Sequence, residues 1–335
     1  MVVGPEWTRR AFLERLPVWS SLGLGAGPLC GELHAAPGNE RTQVDPPIPI
    51  VDTHVHLWDL AAVNVPWVKT SGWEILNRNY LTDDFKNATH GLHVVLGIYM
   101  EVYADPADLD KEAEYVINLC KRGDTPIKAA VIGGRPESPG FRAYIAKYAG
   151  NPYVKGVRRV LHNDDMPRGA CLEPQFVDSI KGLGELNLSF DLCTRPSEII
   201  DGVKLIDQCP KTRFVIDHCG NIDVSSTNRR LRQAWEQGMR EAAKRNHVVC
   251  KISGIVRTAT KDTWKPRDLA PVVDFCLDTF GSNRVMFGGD WPAIHIRATY
   301  RQWTEALQEI VRRRSLDFRR KLFHDNAVKF FGLRV

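Results

Sequence analysis

From residue 48 onward, short apolar runs alternate with longer polar, helix-like stretches, and eight such runs follow one another. They cover residues 50–57, 94–102, 128–132, 154–161, 188–193, 213–218, 248–252 and 284–287. They are rich in Val and Ile and mostly continuous, the composition of strands buried on both faces. Between most of them lie amphipathic segments at 108–121, 141–148, 176–183, 197–208, 229–245 and 271–280. Strand and helix in strict alternation imply parallel pairing with right-handed crossovers. Eight units in about 285 residues fit an α/β fold of the (β/α)8 TIM-barrel type, which usually takes about 250. A doubly wound open sheet is the alternative. It is disfavoured because no Gly-x-Gly-x-x-Gly follows the first run.

In such a barrel the chemistry sits at the C-terminal ends of the strands, and the ionisable residues of this chain gather there. The first run carries His54 and His56, two apart and therefore on one face of a strand. The second ends at Glu101, and the fourth carries Arg158 and then His162. Asp191 lies on the fifth run, Asp217 and His218 end the sixth, Lys251 lies on the seventh, and Asp290 follows the eighth. Arg158 and Arg159 point opposite ways, as do Asp217 and His218. Arg158 and His218 are taken as the inward members, which leaves Asp217 a structural role. His162 is read as a loop residue at the pocket rim. His90, His93, His247, His295 and His324 are read as non-catalytic, with His295 near enough to Asp290 to line the mouth.

Composition narrows the remaining classes. The 335 residues hold 45 Lys and Arg against 40 Asp and Glu, with no basic stripe interleaved with aromatics, so nothing points to nucleic acid. No stretch approaches the roughly 20 apolar residues of a membrane span. Eight cysteines form no C-x-x-C pair; Cys193, Cys219, Cys250 and Cys276 fall in or beside apolar runs and read as buried free thiols. Residues 1–36 look like a twin-arginine export signal: Arg9-Arg10, a mildly apolar stretch, then a small-residue zone ending at Ala36. A Pro-containing linker, 37–47, leads into the 48–335 barrel. The expectation is an exported, periplasmic or cell-envelope enzyme acting on a small molecule, with a cytoplasmic location as the alternative. The sequence carries no signal of oligomeric state.

Five motifs in order carry a family resemblance: Asp-Thr-His-Val-His-Leu-Trp at the first strand, Lys-Gly-Val-Arg at the fourth, Asp-His-Cys-Gly at the sixth, Lys-Ile-Ser-Gly at the seventh and Phe-Gly-Gly-Asp-Trp-Pro at the eighth. Together they resemble the amidohydrolase superfamily, in particular the branch that holds sugar lactonases and 2-pyrone-4,6-dicarboxylate lactonase. The resemblance implies a lactone-opening hydrolase. Asp290 would be the general base for the attacking water. His218 would polarise the carbonyl, and His54 and His56 would complete the electrophilic pocket. Arg158 would bind a substrate carboxylate or hydroxyl, with Lys251 and Arg257 as further contacts and Glu101 either a ligand contact or the partner of a nearby arginine.

The resemblance leaves the metal open. Binuclear relatives use a carboxylated Lys or a Glu on the fourth strand and histidines on the fifth and sixth. Here Lys155 precedes the fourth-strand motif and the fifth strand offers Asp191. That leaves His54, His56 and Asp290 for one divalent ion, such as zinc, or a metal-independent site. A mononuclear-metal decarboxylase on the same barrel is the main alternative. A related metal-dependent nuclease is disfavoured because Gly133-Gly134-Arg135 stands where its glutamate belongs. A non-catalytic binding barrel is disfavoured by the survival of both histidines, His218 and Asp290 together.

Overall fold

The structure, a computed structural model, describes residues 47–334. The signal-like segment and all but the last residue of the linker lie outside the described residues. Within them the eight expected strands are present: β1 Ile50–Val55, β2 Val94–Met100, β3 Ile127–Gly133, β4 Val154–Val160, β5 Ser189–Cys193, β6 Arg213–Ile216, β7 Val248–Ile252 and β8 Val285–Phe287. They form one sheet in sequence order, every ladder parallel. The ring closes between β8 and β1. Val55 bridges to Trp291, His56 N–H donates to Trp291 O at 2.7 Å, and Thr53 Oγ1 donates to Phe287 O at 2.7 Å. The fold is a TIM barrel.

A helix follows each strand: α1 Thr82–Thr89, α2 Leu109–Arg122, α3 Phe141–Ala146, α4 Pro174–Glu185, α5 Ile199–Gln208, α6 Arg229–Ala243, α7 Pro266–Phe280 and α8 Tyr300–Ile310. α9 Leu316–Arg320 and α10 Asn326–Phe331 end the chain. The expected helices are present with shifted ends. The largest shift is in α7, which starts at Pro266 and runs through Pro271, where the sequence suggested a start; proline at the first helical position is pre-shaped for a helix start. α1 and α8 lay outside the expected set.

Two apolar layers support the barrel. The larger fills the space between strands and helices, with Phe85, Phe176, Phe190, Trp235 and Trp303 among its buried members. The smaller joins Val51, Leu96, Ile98, Met100, Ala129, Val131, Val215, Val249 and Met286, with Ala327 and Phe331 of α10 against them. Cys193, Cys219, Cys250 and Cys276 are buried free thiols, as expected. Among the described residues no helix is long and apolar enough to cross a membrane.

Candidate active site

Two residues along from the smaller apolar cluster, the strands change character. Asp217 follows Val215 and Lys251 follows Val249 in the same alternation. All the polar groups at this level are buried. Lys251 Nζ lies 2.5 Å from Asp191 Oδ2 and 3.2 Å from Asp217 Oδ1. Arg158 Nε donates to Glu101 Oε1 at 2.5 Å, its Nη2 donates to the Glu101 carbonyl at 2.8 Å, and its Nη1 lies 3.6 Å from Asp217 Oδ2. Four carboxylates and three cations, counting Asp290 and the half-buried Arg257 above them, therefore gather at one end of the barrel. Burial works against the charge on Asp217, but Lys251 and His54 outweigh it and hold its carboxyl well below the usual range.

Above this layer sit three imidazoles and Asp290. His54 and His56 rings lie 4.9 Å apart, and His54 and His218 rings 4.4 Å apart. Hydrogen-bond partners assign each ring. His56 Nδ1 lies 3.1 and 3.0 Å from the carbonyls of Met100 and Glu101, which only accept, so Nδ1 carries the hydrogen. His54 Nε2 faces the guanidinium of Arg158 at 3.1 Å, which only donates, so the His54 hydrogen is on Nδ1, facing Asp217. His218 Nδ1 lies 2.9 Å from Ser253 Oγ, which can donate to it and leave Nε2–H for the pocket. Burial pushes His218 down to about 4, with Arg257 and Arg158 adding to the effect against Asp290 and Asp217. Burial also holds His54 well below its usual range. His54 and His218 are therefore neutral at pH 7.

Asp290 Oδ1 is buried, has no hydrogen-bond partner, and lies 3.4 Å from His56 Nε2 and 3.8 Å from His54 Nε2. Arg257 Nη1 stands 3.5 Å from its other oxygen. Burial opposes ionisation of Asp290, yet His218, Arg257, His56 and His54 together hold its carboxyl far below the usual range. Since Nδ1 of His56 carries its hydrogen, a neutral His56 turns a lone pair towards an unpartnered carboxylate oxygen. Such an arrangement suits a cation between them. One ligand atom each from His54, His218 and Asp290 also lie within 4.8 Å of one another. The donor set, imidazoles and one carboxylate, therefore fits a divalent ion. A second group, Cys193, Asp217 and His218, meets the same distance limit, but Lys251 and Arg158 already neutralise its carboxylate.

The backbone pays locally for this convergence. Tyr103, His218, Cys219, Asn221 and Asp290 all have φ between 51° and 57°, a left-handed conformation costing non-glycine residues on the order of 1 kcal/mol each. Glycines make room around them. A Cβ on Gly254, itself at φ +65°, would lie 2.3 Å from His218 Nδ1, and one on Gly288 would lie 2.9 Å from His54 Cβ.

The site opens into a pocket of about 120 Å³ whose lining includes the polar side chains of Arg158, His56, His162 and His218 and the aromatic rings of Trp67, Trp73 and Tyr103. A second cavity continues from it past Trp73, His162, His218 and Arg257.

The amidohydrolase family profile matches residues 51–333, nearly the whole described barrel. The chain belongs to the amidohydrolase family. An L-fucono-1,5-lactonase of Burkholderia multivorans is 28% identical over 260 residues, covering 75% of this chain and 84% of the relative. An L-fucono-1,5-lactonase of Burkholderia ambifaria is 26% identical over 291 residues, covering 84% and 95%. A crystal structure of a Burkholderia multivorans amidohydrolase with bound zinc aligns with a TM-score of 0.76 at 24% identity, over 85% of this chain and all of that one.

In this amidohydrolase, His54, His56, His218, Asp290, Arg158, Glu101, Lys251 and Arg257 all lie at one end of the barrel, as the sequence implied. Their surroundings differ from expectation at Asp217 and Lys251. Asp217, expected to turn away, lies at the centre of the charge layer, because the alternation of β6 points it the way of Val215. His218 arrives beside it only because the strand has ended at Ile216 and the chain turns at φ 51°. Lys251 is no pocket contact: it is wholly buried beneath His54, with its ammonium 3.5 Å from His54 Nδ1. Glu101 takes the second of its two readings: it is the partner of Arg158, and its other oxygen accepts from the Tyr103 N–H at 2.6 Å. Arg159 does point away, to Glu137 and Asp165 at 3.0 Å each. His162 lines the pocket, whereas His295 is half-buried and stacks on Tyr80 at 5.9 Å. Trp67, Trp73 and Tyr103 were missed. They lie in loops after β1 and β2 where no periodicity marks a wall residue.

Proposed function

We propose that this amidohydrolase opens a small, uncharged, polyhydroxylated lactone of the sugar-acid type. The observation that carries the reading is the Asp290 carboxylate: buried, ionised, with one oxygen unpartnered and turned towards the His54 and His56 imidazoles. The lactone carbonyl is set against His218 Nε2–H, which stabilises the charge that develops on its oxygen. Asp290 takes a proton from the attacking water. When the ring C–O bond breaks, the same carboxyl returns that proton to the leaving alkoxide. The new carboxylate of the product faces Arg257, whose buried Nε has no partner of its own. A divalent ion held by His54, His56 and Asp290 would add Lewis acidity to the carbonyl or the water.

Charge favours the sugar-type substrate over a dicarboxylate lactone. Lys251, Arg158 and Arg257 face Asp191, Asp217, Glu101 and Asp290, so the protein offers no surplus of cations for two further carboxylates. Arg158 is already held by Glu101. The lactonase names of the two Burkholderia relatives support the same choice.

The test is acid release from a panel of aldono-1,5-lactones by the wild type and by Asp290→Asn. Asparagine accepts a left-handed backbone readily, so the variant should keep the fold at φ 52° while losing roughly 100- to 10,000-fold in kcat. Near-wild-type turnover in the variant overturns the mechanism. Elemental analysis is expected to find one divalent ion per chain; a metal-free protein with full turnover in chelator removes that part of the reading.

A further inference from the structure

We propose that Trp73 is the specificity-determining platform on which the substrate ring stacks. The proposal rests on the hydrolase reading above and names the surface by which that site would recognise its ring. Trp73 is half-buried and lines both the inner pocket and the cavity that continues from it. The residues it shares between the two are His162, His218 and Arg257. Where the two cavities join, the lining thus combines an indole with imidazole and guanidinium groups. A saturated six-membered sugar lactone has a partner for each. Its C–H face is apolar and matches an indole face, and its hydroxyl edge matches imidazole and guanidinium donors.

The local chain holds the indole in place. Trp67 donates Nε1–H to Val102 O at 2.6 Å, which ties the loop to the end of β2. Trp73 packs edge-on against Trp67, with ring centroids 6.0 Å apart at 82°. Gly72 adopts φ +85°, which lets the chain turn so that Trp73 N–H reaches Thr70 O at 3.1 Å. Leu76, one turn on, is buried in the core and anchors the far side. From Trp67 the ring contacts continue through Trp58 and Tyr80 to Trp291, at 5.5, 5.3 and 5.3 Å. Trp291 adjoins Asp290. The platform and the proposed base are therefore fixed to one aromatic stack, which sets the height of a stacked ring relative to the carboxylate.

The experiment uses the full-length protein with two probes, an aldono-1,5-lactone for turnover and the matching 1,5-lactam, which has no ester to cleave, for calorimetric binding. Trp73→Ala should raise KM for the lactone and weaken lactam binding, each roughly tenfold. Trp73→Phe should restore most of both, because a phenyl face still stacks. Trp73→Ala with wild-type KM and lactam affinity, in a wild type that turns over the lactone, overturns the platform and leaves the hydrolase reading standing. An equal loss in Trp73→Phe and Trp73→Ala also overturns it, since only indole-specific packing would then matter. A wild type that neither cleaves the lactones nor binds the lactams overturns the hydrolase reading itself.

Discussion

The two halves of the barrel interior are built on the same strands and differ in almost everything else. One half is hydrocarbon: Val215, Val249 and Met286 meet Leu96, Ile98 and Val131, and α10 lays Ala327 and Phe331 against them. Two residues further along β6 and β7, Asp217 and Lys251 replace Val215 and Val249, and the interior becomes a layer of ion pairs. The polar half buries charges that would each cost several kcal/mol alone and relies on the rigid apolar half to hold their geometry. Stability resides in one half and chemistry in the other.

The sharpest way to break the comparison is to remove a charge from the polar half. Lys251→Met leaves Asp191 and Asp217 buried without their ammonium. We expect a loss of about 3–5 kcal/mol of stability, a large part of the 5–15 kcal/mol typical of a domain, read as a drop in the urea midpoint. Adding Asp191→Asn should recover part of it by removing one of the stranded charges. A single variant within 1 kcal/mol of wild type would show that Lys251 is not the keystone of the layer.

The opposite half offers the control. Phe331→Ala removes a ring that is 3% exposed from the smaller cluster. It should cost about 3 kcal/mol, the low end for a buried phenylalanine, because α10 is terminal and can settle. Catalytic constants measured well below the melting temperature should not change. A large fall in kcat would mean that the two halves are mechanically coupled.

How much of this was legible in the sequence follows from the same division. The strands were readable because a doubly buried parallel strand is a continuous apolar run, and that signal owes nothing to tertiary detail. His54, His56, His218 and Asp290 were readable because reactive side chains at the end of an apolar run are rare without a reason. Alternation misassigned Asp217, because the rule was applied from His218 backwards across a strand end that lies at Ile216. The commitment of Arg158 to Glu101 joins residues 57 apart in the chain and depends on side-chain reach, which spacing does not encode. Trp73 was invisible because the long loop after β1 follows no period, and its importance comes only from the residues with which it lines the pocket.

The pH dependence also separates the halves. Glu112 Oε1 accepts from Tyr99 Oη at 2.9 Å and from Val102 N–H at 2.7 Å, just behind the charge layer. Burial, reinforced by the charge of Glu101, pushes its pKa from the usual 4.5 up to about 8. The folded protein therefore holds a proton between those values that the unfolded chain has released. Native stability consequently falls as pH rises through that window. Glu112→Gln keeps an acceptor for both donors and removes the titration. The variant should gain on wild type by about 1 kcal/mol or more between pH 5 and pH 8, each unit of pH being worth at most about 1.4 kcal/mol per group. The gap between Phe331→Ala and wild type should stay level over the same range, since no titrating group belongs to that cluster. Paired urea melts at the two pH values read both. A Glu112→Gln gap that is flat, or that narrows towards pH 8, would mean that Glu112 is ionised in the folded state and that the charge layer extends one residue further than drawn.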